Sequence, residues 1–317
     1  VWTDDCDLVG ESDDHLQQIH KIINDKWECK QVDPAYMLGI RREVTTAAGG
    51  NMTVELTMTA FIDAMTESFK QYVLRKAVNT PVPDGFFIWR DAATPEAESK
   101  RVLDRGYQRL FGMLLWAARG TFTECLQGCS LLGRVMSAPT EEAWSAACHM
   151  LTYTQQHKTH GIRYSTDGNS APMCMTDSSN KPDPTDSKCQ YGYCHLWQGA
   201  VIIAVSKKLA HVGLSAAHNE YMAAHWANRA TMWLRDLLCE MGLEDVVSKP
   251  TDTYGDNKAA NLLCEEDIVT CGNQFMQVPY HFNKEAVQQG VVTMHYVPTA
   301  DNIADLFTKS VSRQVLE

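Results

Sequence analysis

The sequence lacks any apolar run long enough to cross a membrane. Gly112-Met-Leu-Leu-Trp-Ala-Ala118 and Gly199-Ala-Val-Ile-Ile-Ala-Val205 fall well short of the ~20 residues a spanning helix needs. No membrane partner and no signal peptide are expected, and the reading is of an intracellular protein, cytoplasmic or nuclear. Positive charge is also scarce. With 28 Lys plus Arg against 39 Asp plus Glu, the formal net charge is −11, which excludes non-specific binding to polyanions by the chain as a whole. Any nucleic-acid contact must be local. Paired cysteines are missing too: the 11 cysteines form an odd set without a Cys-x-x-Cys pair, a pattern that suits a reducing compartment better than a disulfide framework. Cys189 with Cys194-His195 comes nearest to a zinc site, but it lacks a second ligand pair and no zinc is assigned. Internal repeats and low-complexity tracts are absent.

What is present is an ordinary globular composition, 44% hydrophobic and 21% charged, in 317 residues, enough for about two domains of ~150 residues each. Leu16, Ile19 and Ile23 recur at helical spacing after the cap-rich Glu11-Ser-Asp-Asp14. Residues 36–44 and 52–58 read as a strand pair around Ala47-Ala-Gly-Gly-Asn51, and Phe61 to Lys76 as a helix before a linker at 79–85. The stretch 105–160 is helical almost throughout. From Ser165 the pattern changes to short β-type runs at 172–176, 191–197, 200–206, 251–255 and 291–297, interleaved with a long helix over 217–241 and a last amphipathic helix from Asn302. Strands first, then alternation with helices, argue an α/β domain with a mixed sheet flanked by helices. The tryptophans 144, 197, 226 and 233 read as packing residues rather than stacking platforms.

Four acidic residues of this second half stand where solvation explains them poorly. Asp177 and Asp256 each end a β-type run, Glu220 lies early in the long helix beside apolar Tyr221 and Met222, and Asp305 begins the final helix. Strand tips converge on a crevice in α/β folds, and carboxylates gathered there would repel one another unless a cation neutralised them. Magnesium suits oxygen-only ligands, and two such ions ~4 Å apart form a device for phosphodiester cleavage. Solvated helix starts and turns remain the alternative for these residues. Lys188, Lys207, Lys208 and Lys258, with Asn257 beside the last, flank the strand tips and are candidates for phosphate contact, with a solvated hairpin as the competing reading. His295, ten residues before Asp305, is either an aid to product release or a partly buried strand residue.

Local wording sharpens these options. Thr176-Asp177, Ser187-Lys-Cys-Gln-Tyr-Gly-Tyr193, Ser206-Lys-Lys208, Glu220-Tyr-Met-Ala223, Trp233-Leu-Arg235, Tyr254-Gly-Asp-Asn257, Tyr280-His-Phe282, Tyr296-Val-Pro-Thr299 and Ala304-Asp-Leu-Phe-Thr-Lys309 follow one another in order. The series resembles the ribonuclease H domain of copia-type retrotransposon polyproteins. The resemblance implies that Asp177, Glu220, Asp256 and Asp305 are the four catalytic, metal-binding residues. Where the family writes two glutamates near this point, His218 takes the place of the first and Glu220 remains.

Upstream, Trp2-Thr-Asp-Asp5 resembles the aromatic-x-Asp-Asp turn of a reverse transcriptase palm, Tyr36-Met-Leu-Gly-Ile40 the strand after it, and Thr80-Pro81 the close of the thumb. Gln108 to Tyr164, with Met136-Ser-Ala-Pro-Thr-Glu141, resembles the connection segment. The resemblance thus implies a palm/thumb remnant of α+β type over 1–85, a helical connection over 86–164 and a ribonuclease H-like domain over 165–317. The match starts at the palm's second catalytic element, so Asp4 and Asp5 are read as a polymerase remnant and nucleotide addition is not expected. The implied activity is magnesium-dependent endonucleolytic hydrolysis of the RNA strand of RNA–DNA hybrids, using two Mg2+ ions with Mn2+ as a substitute. The partners are the hybrid and the remaining fingers and palm of a polyprotein. Thr176-Asp-Ser-Ser-Asn180, the Pro/Asp-rich 181–186, Gln274-Phe-Met276 and the 17 acidic against 11 basic residues after position 170 depart from the family wording. They leave open the alternative of a catalytically silent remnant that binds nucleic acid or protein.

Overall fold

The computed structural model describes Leu8 and residues 12–30, 33, 35–91, 93–265 and 277–311, except for the side chains of 277–280. Asp4, Asp5 and the stretch Gln274-Phe-Met276 lie outside the described residues. Helix α1 (Asp13–Asn24) starts where the Ser12 side chain accepts the His15 N–H, and none of its residues is buried. Its apolar stripe therefore has no part in either core.

A first sheet joins β1 (Tyr36–Met37), β2 (Ile40–Thr46), β3 (Met52–Thr57) and β4 (Ile162–Ser165) in sequential antiparallel order. The strand β4, unforeseen in the sequence, closes this sheet by pairing Val54 with Tyr164. Between β3 and β4 stands a helical block: α2 (Thr59–Ser68), α3 (Glu96–Asp104), α4 (Tyr107–Gly120), α5 (Leu126–Arg134) and α6 (Glu141–Gln156). Its core gathers Met58, Ile62, Leu110, Leu114, Leu131 and Met150, all essentially without exposure. The helix expected over 61–76 stops at Ser68. Beyond it the backbone turns to α6, where the Leu74 N–H donates to Thr152 Oγ1 and the Val78 N–H to Gln156 Oε1, so tertiary hydrogen bonds replace helical ones.

The second sheet is mixed, in the order β7 (Ala200–Lys208), β6 (Gln190–Trp197), β5 (Met173–Ser178), β8 (Thr251–Gly255), β9 (Val292–Tyr296). The first three are antiparallel, whereas β8 and β9 run parallel to β5. A two-residue hairpin, Gln198-Gly199, joins β6 to β7 with φ of +54° and +80°, the left-handed geometry that matches strand twist. Helices α7 (Ala216–Glu240), α8 (Lys258–Glu265) and α9 (Gln277–Gln288) flank the sheet. Period-two alternation sorts its faces. Cys174, Tyr191 and Tyr193 pack on Met222, Ala223 and Ala227 of α7, whereas Met175 and Cys194 pack on Ala304 and Phe307. This is the α/β architecture, a mixed sheet flanked by helices, that the strand and helix pattern argued.

Two expectations fail locally. The helix expected from Asn302 is a 3-10 turn over Ile303–Phe307, preceded by another over Thr299–Asp301. The flanking Asn302 amide bonds to the Thr176 carbonyl and the Phe307 carbonyl accepts the Ser206 hydroxyl, so bonds to the sheet take the place of a continuing helical ladder. Trp233, expected in the core, is 58% exposed because α7 turns Thr231, Leu234 and Leu238 inward and leaves position 233 outside. No helix among the described residues is long and apolar enough to cross a membrane.

Candidate metal centre

The parallel pairing of β5 with β8 runs through Thr176 and Gly255, and the next residue on each strand is an aspartate. Asp177 and Asp256 therefore emerge side by side at the carboxyl ends of neighbouring strands. Asn261, in the first turn of α8, fixes the tip of β8 by donating to the carbonyls of Gly255 (3.0 Å) and His295 (2.9 Å). Asp305 arrives from the far end of the chain, on the 3-10 turn. That turn is fastened to the sheet by Asn302, whose Nδ2 donates to the Thr176 carbonyl at 3.0 Å, and by Ser206, whose hydroxyl donates to the Phe307 carbonyl. The absence of a side chain at Gly192, opposite Asp177, admits Phe307: a Cβ at this glycine would lie 2.5 Å from the Phe307 Cβ.

As a result, one carboxylate oxygen from each of Asp177, Asp256 and Asp305 lies within 4.8 Å of the others. Three segments far apart in sequence meet here. Glu220 stands outside that trio but beside it, in the second turn of α7, which starts where Ser215 Oγ accepts the His218 N–H. The backbone of Ser178 hydrogen-bonds to the Glu220 carboxylate.

The charges show strain of the kind that close carboxylates impose. Burial, reinforced by Asp305 and Asp256, pushes Asp177 up to about 6 against the opposing pull of Lys309 and Thr308. Burial likewise pushes Glu220 up to about 9, with Asp177 and Asp256 adding to the rise. Relief comes from neighbours. Thr308 donates its hydroxyl to Asp177 Oδ2, Thr299 donates to Asp256 Oδ2 at 2.7 Å, and the Lys309 ammonium lies 2.9 Å from Asp305 Oδ1 and 3.6 Å from Asp177 Oδ2. An all-oxygen donor set of converging, mutually repelling carboxylates fits a hard divalent cation.

The other sequence candidates are scattered around this centre. Lys207 is exposed on β7, and Lys188 is half-buried before β6. Lys208 is drawn inward by ion pairs to Asp183 (2.6 Å) and Asp186 (2.9 Å). Asn257 caps α8 by accepting the Ala260 N–H, and Lys258 lies over the Tyr296 ring, 4.5 Å from its centroid. His295 is tied to Asp252 at 2.8 Å. Asp252 precedes Asp256 by four strand residues, about 13 Å at the usual rise, so the imidazole points back from the carboxylates. His218 stacks on His211, with its Nδ1 accepting the Leu214 N–H.

Sequence reasoning gave no role to Thr299, Asn302, Thr308 or Lys309. The signal was there for three of them, because Thr299 closes Tyr296-Val-Pro-Thr299 and Thr308-Lys309 closes Ala304-Asp-Leu-Phe-Thr-Lys309. Gly192 lies inside Gln190-Tyr-Gly-Tyr193, where only the register to Asp177 reveals its purpose.

No protein-family model matches the chain. Among solved structures, LC11-RNase H1 in complex with an RNA/DNA hybrid aligns over 46% of this chain and 99% of that one, at 13% identity and a TM-score of 0.33. The RNase H1 of Halobacterium salinarum NRC-1 aligns over 43% and 93%, at 14% identity and a TM-score of 0.33. Among curated relatives, the retrovirus-related Pol polyprotein from transposon RE2 of Arabidopsis thaliana is 29% identical over 234 residues, covering 71% of this chain and 16% of the relative. The corresponding polyprotein from transposon TNT 1-94 of Nicotiana tabacum is 24% identical over 323 residues. This chain spans less than a quarter of the length of either, 16% and 23% respectively. Over its whole length the chain is similar to a segment of retrovirus-related Pol polyproteins from plant transposons.

Proposed function

We propose that this chain is the C-terminal part of a copia-type Pol polyprotein and that its residues 165–317 form a ribonuclease H unit cleaving the RNA strand of RNA–DNA hybrids. The observation that carries the reading is the meeting of Asp177, Asp256 and Asp305 within 4.8 Å of one another, from two strand tips and a distant turn. Glu220 completes a set of four carboxylates that would hold two Mg2+, with Mn2+ as a substitute. Bound there, the metal supplies acidity to the attacking water and charge stabilisation to the leaving oxygen.

The chain's own residues supply position. Asn302, Ser206 and Phe307 hold the Asp305 turn against the sheet, and Thr308 and Thr299 each orient a carboxylate by donating to one of its oxygens. In the metal-free protein Glu220, pushed up to about 9, carries a proton at neutral pH and must release it for the full set of charges to form. Lys207, Lys188, Lys258 and Asn257 are assigned to phosphates of the hybrid, and Lys208 to holding the loop at Asp183 and Asp186. Recognition rests on backbone shape and the 2′-hydroxyl rather than base sequence. Few phosphate contacts on an acidic chain give weak binding with a shallow salt dependence, since each neutralised phosphate contributes a slope of roughly −0.9 in log K against log salt.

The test is incubation of the full chain with Mg2+ and end-labelled RNA–DNA hybrid, double-stranded RNA or double-stranded DNA of one sequence. The expected result is internal cleavage of the RNA strand of the hybrid alone, abolished by EDTA and restored by Mn2+. Cleavage of the DNA duplex to the same extent, or no cleavage of any substrate, rejects the reading.

A further inference from the structure

Among the described residues, Lys309 is the one cationic side chain paired with the carboxylates of this centre, and it is built into the centre rather than placed at its rim. It follows Asp305 by four residues, and the 3-10 turn brings its ammonium to 2.9 Å from Asp305 Oδ1 and 3.6 Å from Asp177 Oδ2. It thus spans two of the three converging aspartates and faces the third, Asp256, closely enough to feel its charge. The side chain is 42% exposed, so its stem is free to swing the ammonium outward without unpacking the core. Thr308, the residue before it, is fixed by its own hydrogen bond to Asp177, which sets where the stem of Lys309 begins. A cation and a divalent ion placed on the same two carboxylates compete for the same lone pairs.

We propose that Lys309 is a tethered counter-cation that occupies the carboxylate centre in the metal-free protein and is exchanged for the divalent ion on binding. The inference rests on the metal-site reading above and adds a residue whose position sets the affinity of that site. The ammonium neutralises Asp177 and Asp305 while the protein is metal-free and keeps their turn against the sheet. It also raises the metal concentration needed to fill the site. Because the pair is partly exposed, its strength is nearer to that of a surface ion pair than to a dry one, so the competition amounts to roughly tenfold in affinity.

The experiment is isothermal titration of MgCl2 into the full chain and into Lys309→Met, Lys309→Gln and Lys309→Arg, with folding of each checked by circular dichroism in EDTA. The first two variants are expected to bind Mg2+ roughly tenfold more tightly than the parent, and Lys309→Arg, which keeps the charge, to stay near the parent. Two neutral variants guard against one of them failing to fold. Mg2+ binding that is equal to the parent's, or weaker, in the neutral variants overturns the competition while leaving the metal site standing. Absence of Mg2+ binding in the parent and all variants overturns both.

Discussion

Gly192 faces Asp177 across the antiparallel β5–β6 pair, and the space it leaves is filled by Phe307, which carries the Asp305 turn onto the sheet. One missing side chain thus decides how close the third aspartate comes to the first two. Replacing Gly192 with Ala puts a Cβ 2.5 Å from the Phe307 Cβ, with the Phe307 carbonyl carbon at 3.1 Å, so the turn itself must shift. Overpacking of this kind costs about 1–3 kcal/mol. Urea denaturation of Gly192→Ala should show that loss, together with weaker Mg2+ binding; an unchanged midpoint and affinity would mean that the turn is held by something else.

The carboxyls of Asp177 and Glu220 are pushed up to about 6 and about 9 from ordinary values of 3.8 and 4.5. Above those ordinary values the unfolded chain has released protons that the folded protein still binds, so the contribution of these two groups to metal-free stability falls as pH rises, from about pH 4 to about pH 9. Below about pH 6.5 the buried imidazoles of His195 and His225, pushed down to about 4, act with the opposite sign, so the net fall is expected between about pH 6.5 and 9. Glu220→Gln cannot ionise and should flatten the upper part, from about pH 6 to 9, in melting curves recorded in EDTA. A Glu220→Gln profile parallel to the parent's across that window would show that Glu220 ionises freely in the fold.

Asn302 is buried, and its amide makes two bonds of different purpose. Nδ2 donates to the Thr176 carbonyl beside Asp177, and Oδ1 accepts the Ala304 N–H at the start of the Asp305 turn. Asn302→Ala leaves both backbone groups buried without these partners, a loss of about 1–3 kcal/mol for each group left unsatisfied. The expected outcome is a lower melting temperature together with reduced Mg2+ affinity. A variant that melts lower yet binds Mg2+ as the parent does would assign Asn302 to stability alone.

Much of this centre was legible because its signals are local. An aspartate directly after a β-type run, as at Thr176-Asp177 and Gly255-Asp256, announces a strand tip, and the long apolar face beside Glu220 announces a helix against a sheet. The helix expected over 217–241 is observed over Ala216–Glu240 because Ser215 caps it and its interior suits helix throughout. What was not legible depends on partners distant in sequence. The short strand β4 exists because β3 offers Leu56 and Val54 as pairing partners more than 100 positions earlier, and the segment after Asn302 becomes a 3-10 turn because Thr176, Ser206 and Gly192 capture it. Lys208 read as a surface cation because its acidic partners Asp183 and Asp186 sit in a loop that only folding brings to it.

Arg134 ties the helical block to the second sheet. Its guanidinium, nearly buried on α5, bonds to Asp183 at 3.2 Å and to Gln190 Oε1 at 2.7 Å. Removing one partner of a buried ion pair costs several kcal/mol because the other charge stays behind, and here Lys208 still neutralises Asp183. Arg134→Met should therefore lose about 3 kcal/mol in urea denaturation, the lower end of that range. No loss of stability would mean that Lys208 alone satisfies Asp183.

The most direct measurement of the central claim is hybrid cleavage by Asp256→Asn beside the parent at saturating Mg2+. The substitution is nearly isosteric, retains an oxygen for the Thr299 hydroxyl, which donates to Asp256 in the parent, and removes the charge of one of the three converging aspartates. The variant is expected to fold, to melt no lower than the parent in EDTA because a repulsion has been relieved, and to cleave the RNA strand at a small fraction of the parental rate. Parental cleavage by Asp256→Asn would contradict that claim.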